Sequence, residues 1–450
     1  MEGKKYPNIV VEPPGPKALE WIEREDKIIS PYNRPYYYPL VVESAKDCIV
    51  RDVDGNEYID LNSGLVVMNI GHCHPKVQEA IRKQIEKLMH YSYTDFRYPY
   101  VVEYAEKFLE ITPGDFPKKV YFGNSGAESV EASLKVARWH TKRPYIIAYT
   151  GSFHGRTYGA MSLTASNSKY RARFGPLVPG VEHVPFPYCY RCPWKQEFPG
   201  CNYYCVDFIE DYYFKKFVPP EETAAIFFEP IQGEGGYVPA PDGYFKRLKK
   251  LADKYGILLA ADEVQSGMGR TGKWFAMEHY GIEPDILCTS KGLASGLSLG
   301  ATVARAEVMD WGSGVHCTTL GGNPVACAAA SAVIDIIKEE KLLENATKQG
   351  EYIMKRFREA QETLELIGDV RGKGLMIGVE LVKDRDTKEP ASEERDEIMH
   401  RAWKKGLVLI GAGESALRIA PPLTITRELV DTALDIIIET MKEVELSKSK

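Results

Sequence analysis

Two short apolar runs, each ending in a charged residue, set the chemistry within reach of this chain. Residues 257–261 (ILLAA) run straight into Asp262-Glu263, and residues 286–288 (ILC) run into Thr289-Ser290-Lys291. Short apolar runs bounded by polar or Gly-rich punctuation predict strands buried on both faces. In an open α/β sheet, ligands sit off the carboxyl ends of the strands. Asp262 and Lys291 are therefore expected at one crevice. A lysine held there out of water has a lowered pKa and becomes an amine nucleophile, able to condense with an aldehyde. An aspartate beside the nitrogen of a heteroaromatic ring keeps that nitrogen protonated, and each pKa unit of such support is about 1.4 kcal/mol. An aldehyde on such a ring acts as an electron sink.

The strings LLAADEVQSGMGRTGKWF (258–275) and PDILCTSKGLASG (284–296) carry a resemblance. The chain resembles the class III, fold-type I aminotransferases, which use pyridoxal 5′-phosphate (PLP). The resemblance implies an α/β fold with a large, mostly parallel-sheet domain and a smaller α+β domain. The expected division is an N-terminal segment over 1–75, a PLP-binding domain over 76–325 and a C-terminal small domain over 326–450. By the same resemblance Lys291 holds the cofactor's aldehyde carbon, Asp262 faces the pyridine nitrogen, and Gln265 bonds the ring hydroxyl.

Other elements must position the rest of such a site. Residues 119–122 read as a strand, followed by Gly123-Asn124-Ser125-Gly126-Ala127-Glu128 and a helix. A strand, a small-residue turn and a helix start make an anion seat, because the first helical N–H groups have no internal partners. In the family Ser125, Gly126 and Ala127 would cradle the phosphate. The strand at 144–148 leads to Gly151-Ser152-Phe153-His154-Gly155. There the resemblance stacks Phe153 on the ring and puts His154 among the cofactor-binding residues. The string AAIFFEPIQGEGG (224–236) reads as a strand ending at Glu229, with Glu229 and Glu234 flanking a Gly-rich loop as substrate-binding candidates. In ornithine- and 4-aminobutyrate-type members the second glutamate, here Glu234, pairs with an arginine that grips substrate carboxylate. Arg418, in ALRIAPP (416–422), matches that arginine, and its planar fork suits a carboxylate. Leu65 falls where ornithine enzymes carry a tyrosine and resembles the 4-aminobutyrate type. Thr319 matches the threonine that reaches the cofactor phosphate of a neighbouring subunit, which implies a homodimer at least; Leu320 departs from the usual aromatic.

The implied reaction moves an amino group from an ω-amino acid of 4-aminobutyrate, ornithine or lysine type to 2-oxoglutarate, in ping-pong order. Lys291 would act as general base at the carbon bearing nitrogen. The alternative is an amino-acid racemase or epimerase on the same fold, which would use the same Lys291 and Asp262. The partners are small amino and 2-oxo acids and a second copy of the chain.

Composition agrees with such an enzyme. The chain has 450 residues and a formal net charge of −6, so it carries no basic footprint for nucleic acid. No apolar run reaches the ~18 residues of a membrane span, and the first residues lack the apolar core of a secretory signal. The expected location is the cytoplasm. Gly71-His72-Cys73-His74-Pro75 has two histidines at i, i+2 and reads as a turn stiffened by Pro75. Nine cysteines are present, four of them as Cys189-x2-Cys192-x8-Cys201-x3-Cys205. These read three ways: a structural zinc site, disulfides of the kind hyperthermophile proteins carry, or reduced thiols in an insertion. No catalytic metal is expected.

Overall fold

The fold is described from a computed structural model covering residues 5–30 and 37–448. The chain forms two compact units, one of Met1–His74 with Glu344–Lys450 and one of Pro75–Leu343.

The larger unit is built on a seven-stranded sheet. In chain order its strands are β1 (Lys118–Gly123), β2 (Tyr145–Tyr149), β3 (Val181–Val184), β4 (Thr223–Phe228), β5 (Leu258–Asp262), β6 (Ile286–Thr289) and β7 (Gly300–Arg305). Their spatial order is β1-β7-β6-β5-β4-β2-β3. Only β7 runs against the others, between β6 and β1. Strands β4, β5 and β6 lie side by side in parallel, and Asp262 stands opposite Cys288 in the β5–β6 register.

The apolar runs have a physical reason. Successive side chains of a strand point to opposite faces, and both faces of this sheet are covered. Ile147, Ile226, Phe228, Leu259 and Ala261 share one core with Phe245 and Leu248. Ile146, Ala148, Ala225, Phe227, Ala260 and Ile286 share the other with Val130 and Leu134. Full burial of one such phenylalanine stabilises the fold by roughly 1.5–3 kcal/mol.

The longer helices of this unit are α1 (Pro75–Ile85), α2 (Pro99–Ile111), α3 (Gly126–Thr141), α4 (Tyr244–Tyr255) and α5 (Pro324–Glu339). Gly256, at φ +62, ends α4 with its N–H on Ala252 and Asp253 carbonyls, and turns the chain directly into β5. Asn323 caps α5, its Oδ1 accepting from the N–H of Val325 and Ala326. Because α5 packs on α1 and α2, the units divide at 343/344 instead of the expected 325/326. The helices Pro324–Glu339 and Leu342–Gln361 are separated at Lys341, a left-handed residue at φ +53.

In the smaller unit a four-stranded sheet joins Val42–Lys46, Ile49–Asp52 and Glu57–Asp60 to Leu407–Val408. The chain turns at Asp54-Gly55, with Gly55 at φ +95. Asp52 braces it, accepting from the N–H of Asp54 and Asn56. The Asp54 carboxylate in turn accepts from the N–H of Lys17 and Ala18, the first turn of helix Pro16–Ile28. A five-stranded sheet carries Ala416–Ile419 between Met376–Asp384 and Ile410–Ala412. No helix among the described residues is long and apolar enough to cross a membrane.

Candidate active site

The ends of β5 and β6 lie on the same edge of the sheet, as their parallel pairing requires. At that edge Nδ1 of His154 is 2.7 Å from Oδ2 of Asp262. The side chains are 0% and 4% exposed. The other Asp262 oxygen accepts from the N–H of Val264 at 2.9 Å. His154 Nε2 and Gln265 Oε1 are buried with no hydrogen-bond partner. Buried polar atoms without partners are uncommon and mark places where a bound group completes the bonding.

Glu229 stands behind this pair. It is buried at the end of β4, and its oxygens accept from the N–H of Phe153 at 3.0 Å and of Gly233 at 3.0 Å. Burial pushes its carboxyl up to about 7; His154 draws it back down and Asp262 adds to the rise. Sequence reading placed Glu229 against substrate. Its acceptor oxygens tie the loop of Phe153 and His154 to the loop of Gly233 and Glu234, because two strand-end loops bring bare N–H groups there.

Lys291 opens a single turn of 3-10 helix, Lys291–Leu293, at φ +25. A non-glycine residue in that region is strained and persists where its surroundings over-determine it. Here Ser290 Oγ donates to the Leu299 carbonyl at 2.7 Å, and the N–H of Glu263 donates to the Cys288 carbonyl at 2.8 Å. Lys291 itself is half-buried.

Ser125 is the N-cap of α3, its Oγ accepting from the N–H of Glu128 at 3.2 Å. Gly126 follows, and a Cβ there would stand 2.8 Å from Val264 Cγ1 and 3.6 Å from Ser290 Cβ. The sequence suggested that Gly126 leaves room for a ligand; the structure adds that it leaves room for the chain after Asp262. Gly155, at φ +136, presses on Ala127, where an added Cβ would come within 2.9 Å of the alanine Cβ. Gly233 presses likewise on the Gln265 amide. Ser125, Gly126, Ala127, His154, Asp262 and Gln265 are thus joined through close contacts at one end of the sheet.

Phe153 lies edge-on to Tyr170 with ring centroids 5.3 Å apart, and the Arg156 guanidinium is 5.1 Å from the Phe153 ring. Glu234 is half-buried in its loop. Thr319 and Leu320 are exposed. In the smaller unit Arg418 is 1% exposed and pairs in register with Gly378 and Ile410. Leu65 is 46% exposed on a left-handed turn with Ser63, Gly64 and Val66, all at positive φ. His72 Nε2 meets Asp60 Oδ2 at 2.7 Å.

Two organising residues escaped sequence reading. Glu263 is fully buried and accepts from Ser266 Oγ and the N–H of Ala276 and Met277, which anchors the loop carrying Gln265. Burial pushes its carboxyl up to about 7. The Asp-Glu doublet at a strand end was its signal. Glu131 accepts from Thr157 Oγ1 and the N–H of Gly159, and no local pattern announced it.

The four clustered cysteines are unbridged and line a common cavity. Burial pushes the Cys189 thiol up to about 11 and Cys205 up to about 12, with Cys201 adding to both. Among the described residues no three His, Cys, Asp or Glu are arranged to hold a metal ion.

Comparison with known proteins agrees with this geometry. The family model described as aminotransferase class-III matches residues 31–441. The chain is 43% identical to an alanine/serine racemase of Pyrococcus horikoshii, over 99% of this chain and 94% of that one. It is 46% identical to a leucine/methionine racemase of Thermococcus litoralis, over 95% and 96%. It is 41% identical to a 5-aminovalerate aminotransferase of Pseudomonas putida, over 90% and 94%. An amine transaminase from an uncultivated Pseudomonas species, solved in its PLP-bound form, superposes with TM-score 0.84 at 31% identity, over 93% of this chain and 98% of that one. With a helix start for a phosphate, unpartnered polar atoms around Asp262 and a lysine at the neighbouring strand end, this chain belongs to the class III aminotransferases, PLP-dependent enzymes of fold type I.

Proposed function

We propose that this enzyme takes the proton from the amine-bearing carbon of a neutral α-amino acid and returns one to the opposite face, acting as an amino-acid racemase or epimerase. The observation that carries the chemistry is the buried His154–Asp262 pair on the sheet edge shared with Lys291. The choice of racemisation rests on relatives: the alanine/serine and leucine/methionine racemases match at 43% and 46% over 95% or more of the chain.

When bound, PLP supplies the electron sink for the bond broken at carbon. This chain's residues would do the rest. Ser125, with the N–H groups of Gly126 and Ala127, would hold the phosphate. Asp262 would keep the ring nitrogen protonated, and His154 would hold Asp262 in place. Gln265 would present its unpartnered oxygen to the ring hydroxyl. The Lys291 amine would take the proton from the amine-bearing carbon.

A second reading is ω-amino transfer to 2-oxoglutarate. Glu234 in its Gly-rich loop and the 5-aminovalerate aminotransferase relative favour it. We also propose that two copies associate with Thr319 reaching the second copy's phosphate, a reading supported by its exposure and that of Leu320.

Incubating the holoenzyme with single L-amino acids, with and without 2-oxoglutarate, tests the choice. Chiral chromatography should show the D-enantiomer accumulating without any oxo acid. Glutamate formed from 4-aminobutyrate, 5-aminovalerate or ornithine, with no D-enantiomer from any α-amino acid, would replace the first reading by the second.

A further inference from the structure

Between β7 and α5, residues 306–323 form no helix or strand. Ordered segments longer than about 12–15 residues without secondary structure are uncommon in a compact domain and are usually functional. This one is fastened to the elements that frame the start of α3. Lys135 Nζ of α3 lies 2.9 Å from His316 Nδ1, and the His316 ring packs on Tyr121 of β1 with centroids 4.8 Å apart. Gly321 runs so close to β1 that the Phe122 carbonyl leaves no room for a Cβ there. The Thr94 hydroxyl donates to the Thr318 carbonyl at 2.8 Å.

A further bond reaches the turn before α3. Glu128 folds back over Gly123, where an added Cβ would stand 2.9 Å from its Oε2. That oxygen accepts from the Asn124 N–H at 2.7 Å and from Asn124 Nδ2 at 2.9 Å. The Glu128 N–H donates to Ser125 Oγ, so the turn closes on itself. A primary amide carries two N–H donors. The second of Asn124 leads out of the turn, to Thr318 Oγ1 at 3.0 Å. Hydrogen bonds in a chain polarise one another, so the Glu128 carboxylate strengthens the bond to Thr318. Thr318 is half-buried between exposed Cys317 and Thr319.

We propose that Asn124 and Thr318 are positioning residues for the cofactor phosphate. Their bond fixes the turn leading into Ser125, Gly126 and Ala127 against the 306–323 segment, so that the seat has its shape before phosphate arrives. This rests on the reading that those three residues hold the phosphate. Asn124 and Thr318 act without touching it: a seat already ordered loses less entropy on binding.

The full-length chain, stripped of cofactor, is titrated with PLP and with pyridoxal, which lacks the phosphate. Thr318→Val keeps the side chain's shape and removes the acceptor; Asn124→Ala removes the donor. Each should weaken PLP binding about two- to tenfold, the range for one hydrogen bond, and leave pyridoxal binding unchanged. Thr318→Ser should restore wild-type affinity. Amide exchange across 312–321 in the cofactor-free protein should quicken in both variants. Unchanged exchange, unchanged PLP affinity, or an equal loss for PLP and pyridoxal would each overturn the proposal. So would a loss that vanishes in a Thr319→Ala background, which would place the effect on Thr319. Ser125→Ala separates the proposal from the reading beneath it. If Ser125→Ala weakens PLP relative to pyridoxal while the other two variants do not, the phosphate seat stands and the Asn124–Thr318 role falls. If none of the three does, both fall.

Discussion

His154 and Asp262 share a 2.7 Å hydrogen bond at the end of β5, with both side chains out of water. A buried carboxylate is held by its partners, and removing one leaves the other uncompensated. The His154–Asp262 contact therefore decides how firmly the aspartate is presented to a ring nitrogen. His154→Ala should cost roughly 1.5–3 kcal/mol, the range for a hydrogen bond to a charged group. That is about ten- to a hundredfold in PLP retained after dialysis or in kcat. Retention and turnover equal to wild type would show that His154 does not position Asp262.

Lys291→Ala should be more severe, because general-base catalysis alone contributes about 10²–10⁴ in rate. Racemisation and amino transfer should fall together, and the absorption of the lysine-held cofactor should disappear. Survival of either activity at more than about a hundredth of wild type would remove Lys291 from proton transfer.

How much of this was legible beforehand follows from the range of each interaction. The strands carrying Asp262 and Lys291 were readable because burial on both faces writes itself as an unbroken apolar run. Their place on one edge followed from parallel pairing. The helix start after Ser125 was readable because a strand, a small-residue turn and a helix follow one another within a few residues. His154 could be named through the family, but its grip on Asp262 joins residues 108 apart and leaves no local pattern. The partners of Glu229 were not legible for the same reason: they are backbone N–H groups of Phe153 and Gly233, which carry no side-chain signal. The break at Lys341 hides inside an amphipathic pattern, since a lysine at φ +53 looks like any other polar helix residue.

Gly126→Ala tests the contact between the start of α3 and the segment after Asp262. The new Cβ would lie 2.8 and 3.0 Å from the two Val264 methyl carbons. Val264 is β-branched and stiff at χ1, and its N–H is engaged by Asp262, so it has little freedom to retreat. Overpacking of this kind costs about 1–3 kcal/mol. The variant should unfold at lower denaturant concentration and lose PLP more readily. A Gly126→Ala/Val264→Ala double variant should recover cofactor retention. Failure of that rescue would show that Gly126 is required for some reason other than Val264.

The pH dependence of stability should carry the mark of Glu229. Its carboxyl, near 4.5 in the unfolded chain, is raised to about 7 in the fold, first by burial. Between those values the folded protein holds a proton that the unfolded chain has released. Stability from this group is therefore complete below about 4.5 and declines as pH rises towards 7, by at most about 1.4 kcal/mol per pH unit. Glu263 titrates in the same direction, so wild type alone cannot separate the two. Glu229→Gln keeps one carbonyl acceptor for Phe153 or Gly233, removes the titration and leaves Glu263 in place. Urea midpoints of wild type and variant across this window isolate the Glu229 part. The stability of wild type relative to Glu229→Gln should fall as pH rises. A difference that stays flat with pH would mean that Glu229 is ionised throughout, held so by the two N–H groups and His154 despite its burial.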